Sequence, residues 1–176
     1  MREILRRAPA KARVMSCPAA IAGALALFNI AGCTEPARTS GQPAFYRELG
    51  SASARVDAEA ARATISAYRL NHGLGALKLD PALMQAAEAE AAAMAAADKP
   101  GSADAVKARL ARAGEPGSEA NLSAGYRRLA EAFSGWRDSP QHDRVMKSAR
   151  ATRMGIGTAY APGSKYQVYW TLIVAP

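Results

Sequence analysis

The sequence predicts an α+β domain, because helical periodicity in its middle part gives way to strand periodicity at its end. Apolar residues recur at intervals of three and four in four segments between Val56 and Asp138. From Met154 onward they alternate at a period of two, and a Pro-Gly turn at Pro162 divides this region into two strands. Several helices followed by an antiparallel hairpin are typical of layered α+β domains.

The first predicted helix, residues 56–71, carries apolar residues on two of its sides. Its charged residues occupy only a narrow third side, so we expect this helix to lie between two layers of the domain. One apolar stripe consists of Val56, Ala60, Ala63, Ala67 and Leu70, and the other consists of Ala61, Ile65 and Tyr68.

The second predicted helix has the clearest start in the chain. Asp80 suits the N-cap, where a carboxylate accepts main-chain N–H groups, and Pro81 suits the first helical position. The helix is expected to run to about Ala97. Its apolar face consists of Leu83, Met84, Ala87, Ala91 and Met94.

Two shorter helices and an extended segment follow. A basic helix over residues 103–113 has Ser102 as its N-cap and ends at Gly114. Residues 119–124 form a brief extended segment, and residues 126–138 form the next helix. Its buried stripe consists of Leu129, Ala132, Phe133 and Trp136.

The closing hairpin pairs residues 154–160 with residues 165–175. One face of its second strand consists of Tyr166, Val168, Trp170, Leu172 and Val174. On the first strand, Gly155, Gly157 and Ala159 leave one face almost without side chains, so another group can approach the sheet backbone closely. Close packing of a helix and approach of a ligand both explain this face.

The N-terminus has the pattern of a secretory signal. Five basic residues precede an apolar run over residues 19–32, which is too short to span a bilayer, since a spanning helix needs roughly 20 apolar residues. The run closes with Ile-Ala-Gly before Cys33, which resembles the lipobox of bacterial lipoproteins. The resemblance implies cleavage before Cys33, diacylglycerol on its sulfur and acylation of the new α-amine. The alternative is an ordinary secreted protein with a cysteine near its cleavage site.

These features divide the chain into a signal peptide (residues 1–32), a Pro- and Gly-containing tether (residues 33–53) and a folded domain (residues 54–176). Two or more acyl chains anchor a protein stably. Thr34, rather than Asp, follows the cysteine, which by resemblance to lipoprotein sorting implies the outer membrane. We therefore expect a lipid-anchored protein of the cell envelope that faces the periplasm or the cell exterior.

Charge and cysteine content argue against nucleic-acid binding and against thiol chemistry. The net charge is +8, but residues 1–32 carry five basic residues and one Glu, so the rest of the chain has a net charge of +4. Its Arg and Lys residues are scattered among acids, and we expect no nucleic-acid partner. Cys17 lies in the signal and Cys33 is the lipidation site. The predicted domain therefore has neither a disulfide nor thiolate chemistry.

The order of motifs resembles bacterial members of the CAP superfamily, which comprises the cysteine-rich secretory proteins, antigen 5 and pathogenesis-related 1 proteins. Residues 136–142, Trp-Arg-Asp-Ser-Pro-Gln-His, match the superfamily's Trp-x-x-Ser-Pro-x-His, and Asn121 opens a segment similar to its Glu-Asn-Ile-Ala-Ala-Gly strand. The other similar segments are residues 68–77, 79–83, 154–159 and 169–171. The resemblance implies a three-layer α-β-α sandwich with a central antiparallel sheet and a cleft.

The superfamily's cleft often holds two His and one or two Glu residues, which are suitable ligands for Zn²⁺. Here only His142 occupies such a position. The other His is missing from residues 98–102, Ala120 replaces the Glu that precedes Asn121, and Ser139 stands where some relatives have a second Glu. We therefore expect no metal and no other cofactor.

The remaining candidates for a cleft have structural interpretations as well. His142 is either a residual cleft residue or a structural histidine, and Ser139 before Pro140 also suits a helix N-cap. Glu119 lies one residue before the family position, so in a strand it points to the opposite face. His72 follows the first helix and is either a helix C-terminal or surface residue or a cleft residue.

Two functions are consistent with this pattern. The first is a non-catalytic binding module for a small apolar ligand, a glycan or an envelope protein, with His142, Asn121 and Ser139 in a degenerate cleft. The second is a hydrolase that uses His142 together with Glu119, if a β-bulge restores Glu119 to the cleft. The distance between these two side chains distinguishes the two hypotheses.

Overall fold

The computed structural model describes residues 41–176; Cys33, the predicted signal peptide and part of the predicted tether lie outside these residues. A short 3-10 helix, Ala44–Tyr46, precedes five α-helices and four strands. In chain order these are α1 Ala58–Leu70, β1 Lys78–Leu79, α2 Pro81–Ala97, α3 Ala103–Arg112, β2 Glu119–Ala124, α4 Leu129–Asp138, α5 Pro140–Met146, β3 Arg153–Tyr160 and β4 Val168–Ala175. The α+β prediction is confirmed.

The four strands form one sheet in the order β1-β3-β4-β2. The predicted hairpin is β3 and β4, which pair antiparallel from Arg153 opposite Ala175 to Tyr160 opposite Val168. β2 pairs antiparallel with the other side of β4. The two-residue β1 pairs parallel with the start of β3, so the sheet is not wholly antiparallel as expected. Both β1 and β2 are edge strands.

Helices cover both faces of the sheet. On one face, α2 and α3 bury a small cluster that includes Leu83, Val106 and Ile173. On the other face, α1, α4 and α5 bury a larger cluster that includes Ile65, Trp136 and Met146. This arrangement is the three-layer sandwich that the motif order implies.

The predicted helix starts depend on local hydrogen bonds that the structure contains. Asp80 Oδ1 accepts the main-chain N–H groups of Ala82 at 2.9 Å and Leu83 at 3.0 Å, and Pro81 is the first helical residue. Ser102 Oγ caps α3 by accepting the N–H of Ala105 at 3.3 Å. By contrast, α4 begins at Leu129, three residues later than predicted, and its N-cap side chain makes no capping hydrogen bond.

The paired glycines of β3 accommodate α2, which decides between the two explanations of this face. A Cβ atom on Gly157 would lie 2.6 Å from the carbonyl carbon of Ala87, and one on Gly155 would overlap the main chain of Leu83. Real Cβ atoms do not approach backbone so closely, so only glycine permits this helix to pack directly on the strand. Helix packing therefore explains the small-residue face.

Two expectations about the N-terminal part of the domain are wrong. The sequence places residues 41–53 in the tether, yet Leu49 is 3 % exposed in the core and the Phe45 ring contacts Phe133 with ring centroids 6.4 Å apart. On α1, the predicted stripe ending at Leu70 faces outward at that end, since Leu70 is 59 % exposed, while the neighbouring Arg69 is buried. No helix among residues 41–176 is long and apolar enough to cross a membrane.

Candidate functional site

No strand among residues 41–176 pairs with the outer edge of β2. The register with β4 determines which main-chain groups point to this edge. The N–H of Gly125 donates to the carbonyl of Val168 at 2.9 Å, which continues the pairing of Ala124 with Tyr169. In antiparallel pairs, hydrogen-bonded and non-hydrogen-bonded residues alternate. The odd-numbered residues of β2 therefore bond to β4, and the even-numbered residues direct their N–H and C=O groups away from it. Those residues are Ala120, Leu122 and Ala124.

A groove of about 410 Å³ runs beside this edge between α3 and α5. Its lining is polar and carries both signs of charge. The charged and polar side chains are Asp104 and Lys107 of α3, Glu119 of β2, and Gln141 and Arg144 of α5. Within residues 41–176, no protein hydrogen bond occupies the outward main-chain groups of Ala120, Leu122 and Ala124. Of these three residues, Ala120 lines the groove, and Leu122 and Ala124 continue the same strand edge beyond it.

Asn121 and His142 lie together beneath α5, and they meet through the main chain of His142 rather than through its ring. Asn121 is 1 % exposed, and its Nδ2 donates to the carbonyl oxygen of His142 at 2.9 Å. Its Oδ1 is buried and has no hydrogen-bond partner among the described residues. Burial lowers the pKa of the half-buried His142 imidazole, so the ring is neutral at neutral pH.

Glu119 lies on the same face of β2 as Asn121, as strand alternation requires, and lines the groove. Its Oε1 accepts a hydrogen bond from Ser148 Oγ at 3.0 Å, just beyond the end of α5. No hydrogen bond joins Glu119 to His142 in the part of the chain that the structure describes. Glu119 therefore holds the segment after α5 against β2 and does not orient the imidazole.

Ser139 and His72 are structural in different ways. Ser139 is the N-cap residue of α5, and its carbonyl accepts the N–H of Asp143 at 2.8 Å, but its hydroxyl makes no capping hydrogen bond. The side-chain cap predicted for Ser139 is therefore absent. His72 is exposed beyond α1, where its Nδ1 lies 2.8 Å from the Tyr68 carbonyl oxygen. This is the helix C-terminal position that the sequence indicates.

Tyr68 fixes the position of α5 from the opposite side. Its hydroxyl donates to Asp143 Oδ1 at 2.6 Å, and Asp143 also forms an ion pair with Lys147. Burial, together with the hydrogen bond to Asp143, raises the pKa of Tyr68 to about 12, so the phenol keeps its proton at physiological pH. The α5 wall of the groove is thereby attached to α1.

The residues present do not fit a divalent metal. Ala120, at the position of the superfamily's Glu, packs in the α2–α3 core at 4 % exposure and has no ligating atom in its side chain. Asp98 lies in the segment that lacks the second His. Its Oδ1 accepts hydrogen bonds from Tyr169 at 2.6 Å and from the Lys165 N–H at 3.2 Å. Among residues 41–176, no three His, Cys, Asp or Glu side chains gather into a metal-binding group.

The family assignment follows from the sequence match over this same framework. The model of the cysteine-rich secretory protein family, CAP, matches residues 62–174, which include β1 to β3 and α2 to α5 in full, most of α1 and all of β4 except its last residue. The chain belongs to the CAP family. Among curated proteins, no sequence matches it.

Solved structures show the same CAP fold at low sequence identity. An extracellular protein of Bacillus anthracis that contains an SCP domain superposes with a TM-score of 0.56 at 18 % identity, over 67 % of this chain and 39 % of that protein. An outer surface protein of Borrelia burgdorferi superposes with a TM-score of 0.58 at 14 % identity, over 66 % of this chain and 90 % of that protein.

A cysteine-rich secretory protein of Staphylococcus aureus gives a TM-score of 0.53 at 16 % identity, over 68 % of this chain and 39 % of that protein. This chain therefore spans about two fifths of the Bacillus and Staphylococcus proteins that it matches. At these identities the likeness establishes the CAP fold alone.

Four charged or polar residues of the groove were missed by the sequence comparison. They are Asp104, Lys107, Gln141 and Arg144, which occupy exposed positions of α3 and α5, where charged and polar residues are ordinary. Their common location follows from β2 being an edge strand, which no local pattern encodes. The one signal in the sequence is the position of Gln141 between Pro140 and His142 in the family motif.

Proposed function

We propose that this CAP protein is a lipid-anchored, non-catalytic binding module of the cell envelope. Its binding site is the groove beside β2, and its partner is an extended polar segment of an envelope protein. The observation that carries the proposal is the row of outward N–H and C=O groups at Ala120, Leu122 and Ala124. An extended peptide that adds a strand to an exposed sheet edge uses such groups for affinity.

The groove lining favours a polar partner over a small apolar ligand. Asp104, Lys107 and Arg144 place both signs of charge at its walls, and no aromatic residue lines it within the described chain. The main-chain groups of a strand edge match a peptide in spacing, because both repeat every two residues. These features also favour a peptide over a glycan.

The geometry supports binding rather than hydrolysis. A general base must reach its proton or a partner within about 2.6–3.2 Å. The Glu119 carboxylate is instead hydrogen-bonded to Ser148, and the His142 carbonyl rather than its ring contacts Asn121. Hydrolysis by His142 and Glu119 remains the second candidate because Glu119 and Asn121 share one strand face.

Photo-crosslinking in intact cells tests the groove. A photoreactive residue at Lys107 is expected to give a discrete adduct with an envelope protein, because that position lines the groove. The matched control is Arg112, which is also exposed on α3 but does not line the groove, and it should give no such adduct. Equal adducts at both positions, or none at Lys107, would contradict the proposed site. Cleavage of the captured partner, abolished by His142→Ala, would establish the hydrolase instead.

The anchor is tested separately. Cys33→Ser removes the sulfur that carries the diacylglycerol, so this variant is expected to stay unprocessed or to appear in the soluble fraction. Cys17→Ser is the matched control, because Cys17 lies within the predicted signal, and it should fractionate with membranes as the parent does. Fractionation and labelling with a fatty-acid analogue measure both variants. If Cys33→Ser is still a processed membrane protein, the anchor assignment is wrong.

A further inference from the structure

A second cavity, of about 330 Å³, lies at another edge of the sheet. It is lined by Ala52 and Arg55 from the segment before α1, by Glu88 and Ala92 of α2, and by residues 158–160 of β3. Neither the family match nor the proposed function assigns a role to this place. Its volume is at the small end of ligand pockets, which are typically about 300–1,000 Å³.

The strand at this cavity has unused main-chain groups. The N–H of Ala161 donates to the Gln167 carbonyl at 2.7 Å, so odd-numbered residues of β3 bond to β4 and even-numbered residues point to the β1 side. The bond from the Asp80 N–H to the Met154 carbonyl, at 2.9 Å, confirms this alternation. β1 pairs only with Arg153 and Met154, and the Ile156 N–H donates to Met84 Sδ at 3.2 Å. From Thr158 onward, no strand among residues 41–176 covers this edge.

Two residues of the uncovered edge also line the cavity. The outward N–H and C=O groups of Thr158 and Tyr160 have no hydrogen-bond partner within residues 41–176. Thr158 and Tyr160 are two positions apart along the extended strand, a distance of about 6.6–6.8 Å. A bound molecule with amide groups at the same repeat can pair with both.

The cavity also carries one cation and one anion that do not neutralise each other. Arg55 Nη1 donates to the carbonyls of Ala52 and Ala54, both at 2.8 Å, which restrains the guanidinium. Its other N–H groups have no hydrogen-bond partner among residues 41–176. The N–H of Val56 donates to Thr158 Oγ1 at 3.3 Å and fixes this segment beside β3. Glu88 has neither an ion pair nor a hydrogen bond from its side chain among the described residues.

We propose that this cavity binds a zwitterionic peptide of three residues in extended form. Its carboxylate pairs with Arg55, its ammonium group pairs with Glu88, and its amide groups bond to the main chain of Thr158 and Tyr160. Arg55 is held by its own segment before the ligand arrives, which reduces the entropy cost of binding. Ala52 and Ala92 supply small walls that leave room for the ligand side chains.

Titration of the detergent-solubilised full-length protein with the tripeptide trialanine tests the proposal. Saturable binding is expected by calorimetry, with amide NMR shifts at Thr158 and Tyr160. Arg55→Gln and Glu88→Gln should each weaken binding about tenfold or more, since each removes a charge-assisted hydrogen bond. The same tripeptide with both ends blocked should bind the parent protein at least as weakly as the free peptide binds either variant, and Arg112→Gln should bind the free peptide as the parent does.

Arg55→Gln and Glu88→Gln change exposed side chains, so both variants should fold as the parent does. Ala92→Leu provides an independent steric block of the cavity. Absence of saturable binding by the parent protein would overturn the proposal. Equal affinity for the free and the blocked tripeptide would also overturn it, because the charged ends would then play no part. Amide shifts confined to Ala120, Leu122 and Ala124 would place the peptide in the β2 groove and would also refute this site.

Discussion

Trp136→Ala is expected to lower the free energy of unfolding by about 3–5 kcal/mol. Trp136 is fully buried, its Nε1 donates to Ser123 Oγ at 3.0 Å, and its ring meets Trp170 edge to face with centroids 6.0 Å apart. Truncation leaves a cavity between α4 and the sheet and also removes the partner of a buried hydroxyl. Typical domains are stable by about 5–15 kcal/mol, so the melting temperature should fall sharply.

His142→Ala is the matched control, because it lies in the same family motif but is only half-buried. Its imidazole forms no hydrogen bond to another described side chain, and the Asn121 bond to its main-chain carbonyl survives truncation. We therefore expect a loss well below that of Trp136→Ala in parallel thermal and urea melts. Equal losses in the two variants would make His142 a core histidine and remove it from the candidate site.

The elements that could be predicted from the sequence are those with local causes. Asp80 and Pro81 start α2 through contacts within one helical turn, and Gly155 and Gly157 mark the strand on which that helix packs. The hairpin follows from a period of two on either side of Pro162. Each of these signals lies in a few neighbouring residues, so no tertiary information is needed to interpret it.

The parts that could not be predicted depend on distant contacts. Leu49 enters the core because its segment packs beside α4, where its N–H donates to the Arg127 carbonyl at 2.9 Å. The groove exists because β2 is last in the strand order, although it is second in the chain. Of the residues predicted for the cleft, Asn121 and His142 meet and Glu119 lines the groove. The hydrogen bond from Ser148 to Glu119 depends on how the chain folds after α5.

Arg69 is the largest departure from the sequence pattern, because a charged residue is fully buried where the pattern predicted exposed charge. Its guanidinium donates only to main-chain carbonyls, and burial lowers its pKa. The acceptors are Gly75 at 2.8 Å, Met146 at 2.8 Å, Ser148 at 2.9 Å and Ala151 at 2.9 Å. One side chain thus ties α1 to the loop after it and to the segment that leads into β3.

Arg69→Met is therefore expected to destabilise the domain by about 3–5 kcal/mol. Methionine fills much of the same volume, but it removes the guanidinium donor from all four carbonyls. The Ser148 carbonyl still accepts the Ala151 N–H at 3.2 Å, whereas a buried carbonyl left unsatisfied costs about 1–3 kcal/mol before relaxation. The segment that contains Ser148 would also lose its hydrogen bonds to Arg69, so amide hydrogen exchange should rise first at residues 146–151. The hydrogen bond from Ser148 to Glu119 should weaken as a result. Urea melts and hydrogen-exchange mass spectrometry measure these two effects.

Two further variants separate the charge of Arg69 from its shape. Arg69→Lys keeps the charge but has a single ammonium group, which cannot match the spread of a guanidinium across four acceptors, so it should recover little of the loss. Arg62→Met removes a partly exposed arginine of the same helix that pairs with Glu59, and it should destabilise the domain far less than Arg69→Met does, because surface ion pairs contribute little. Full recovery in Arg69→Lys would mean that the buried charge, rather than the fork of donors, holds α1 to the segment before β3.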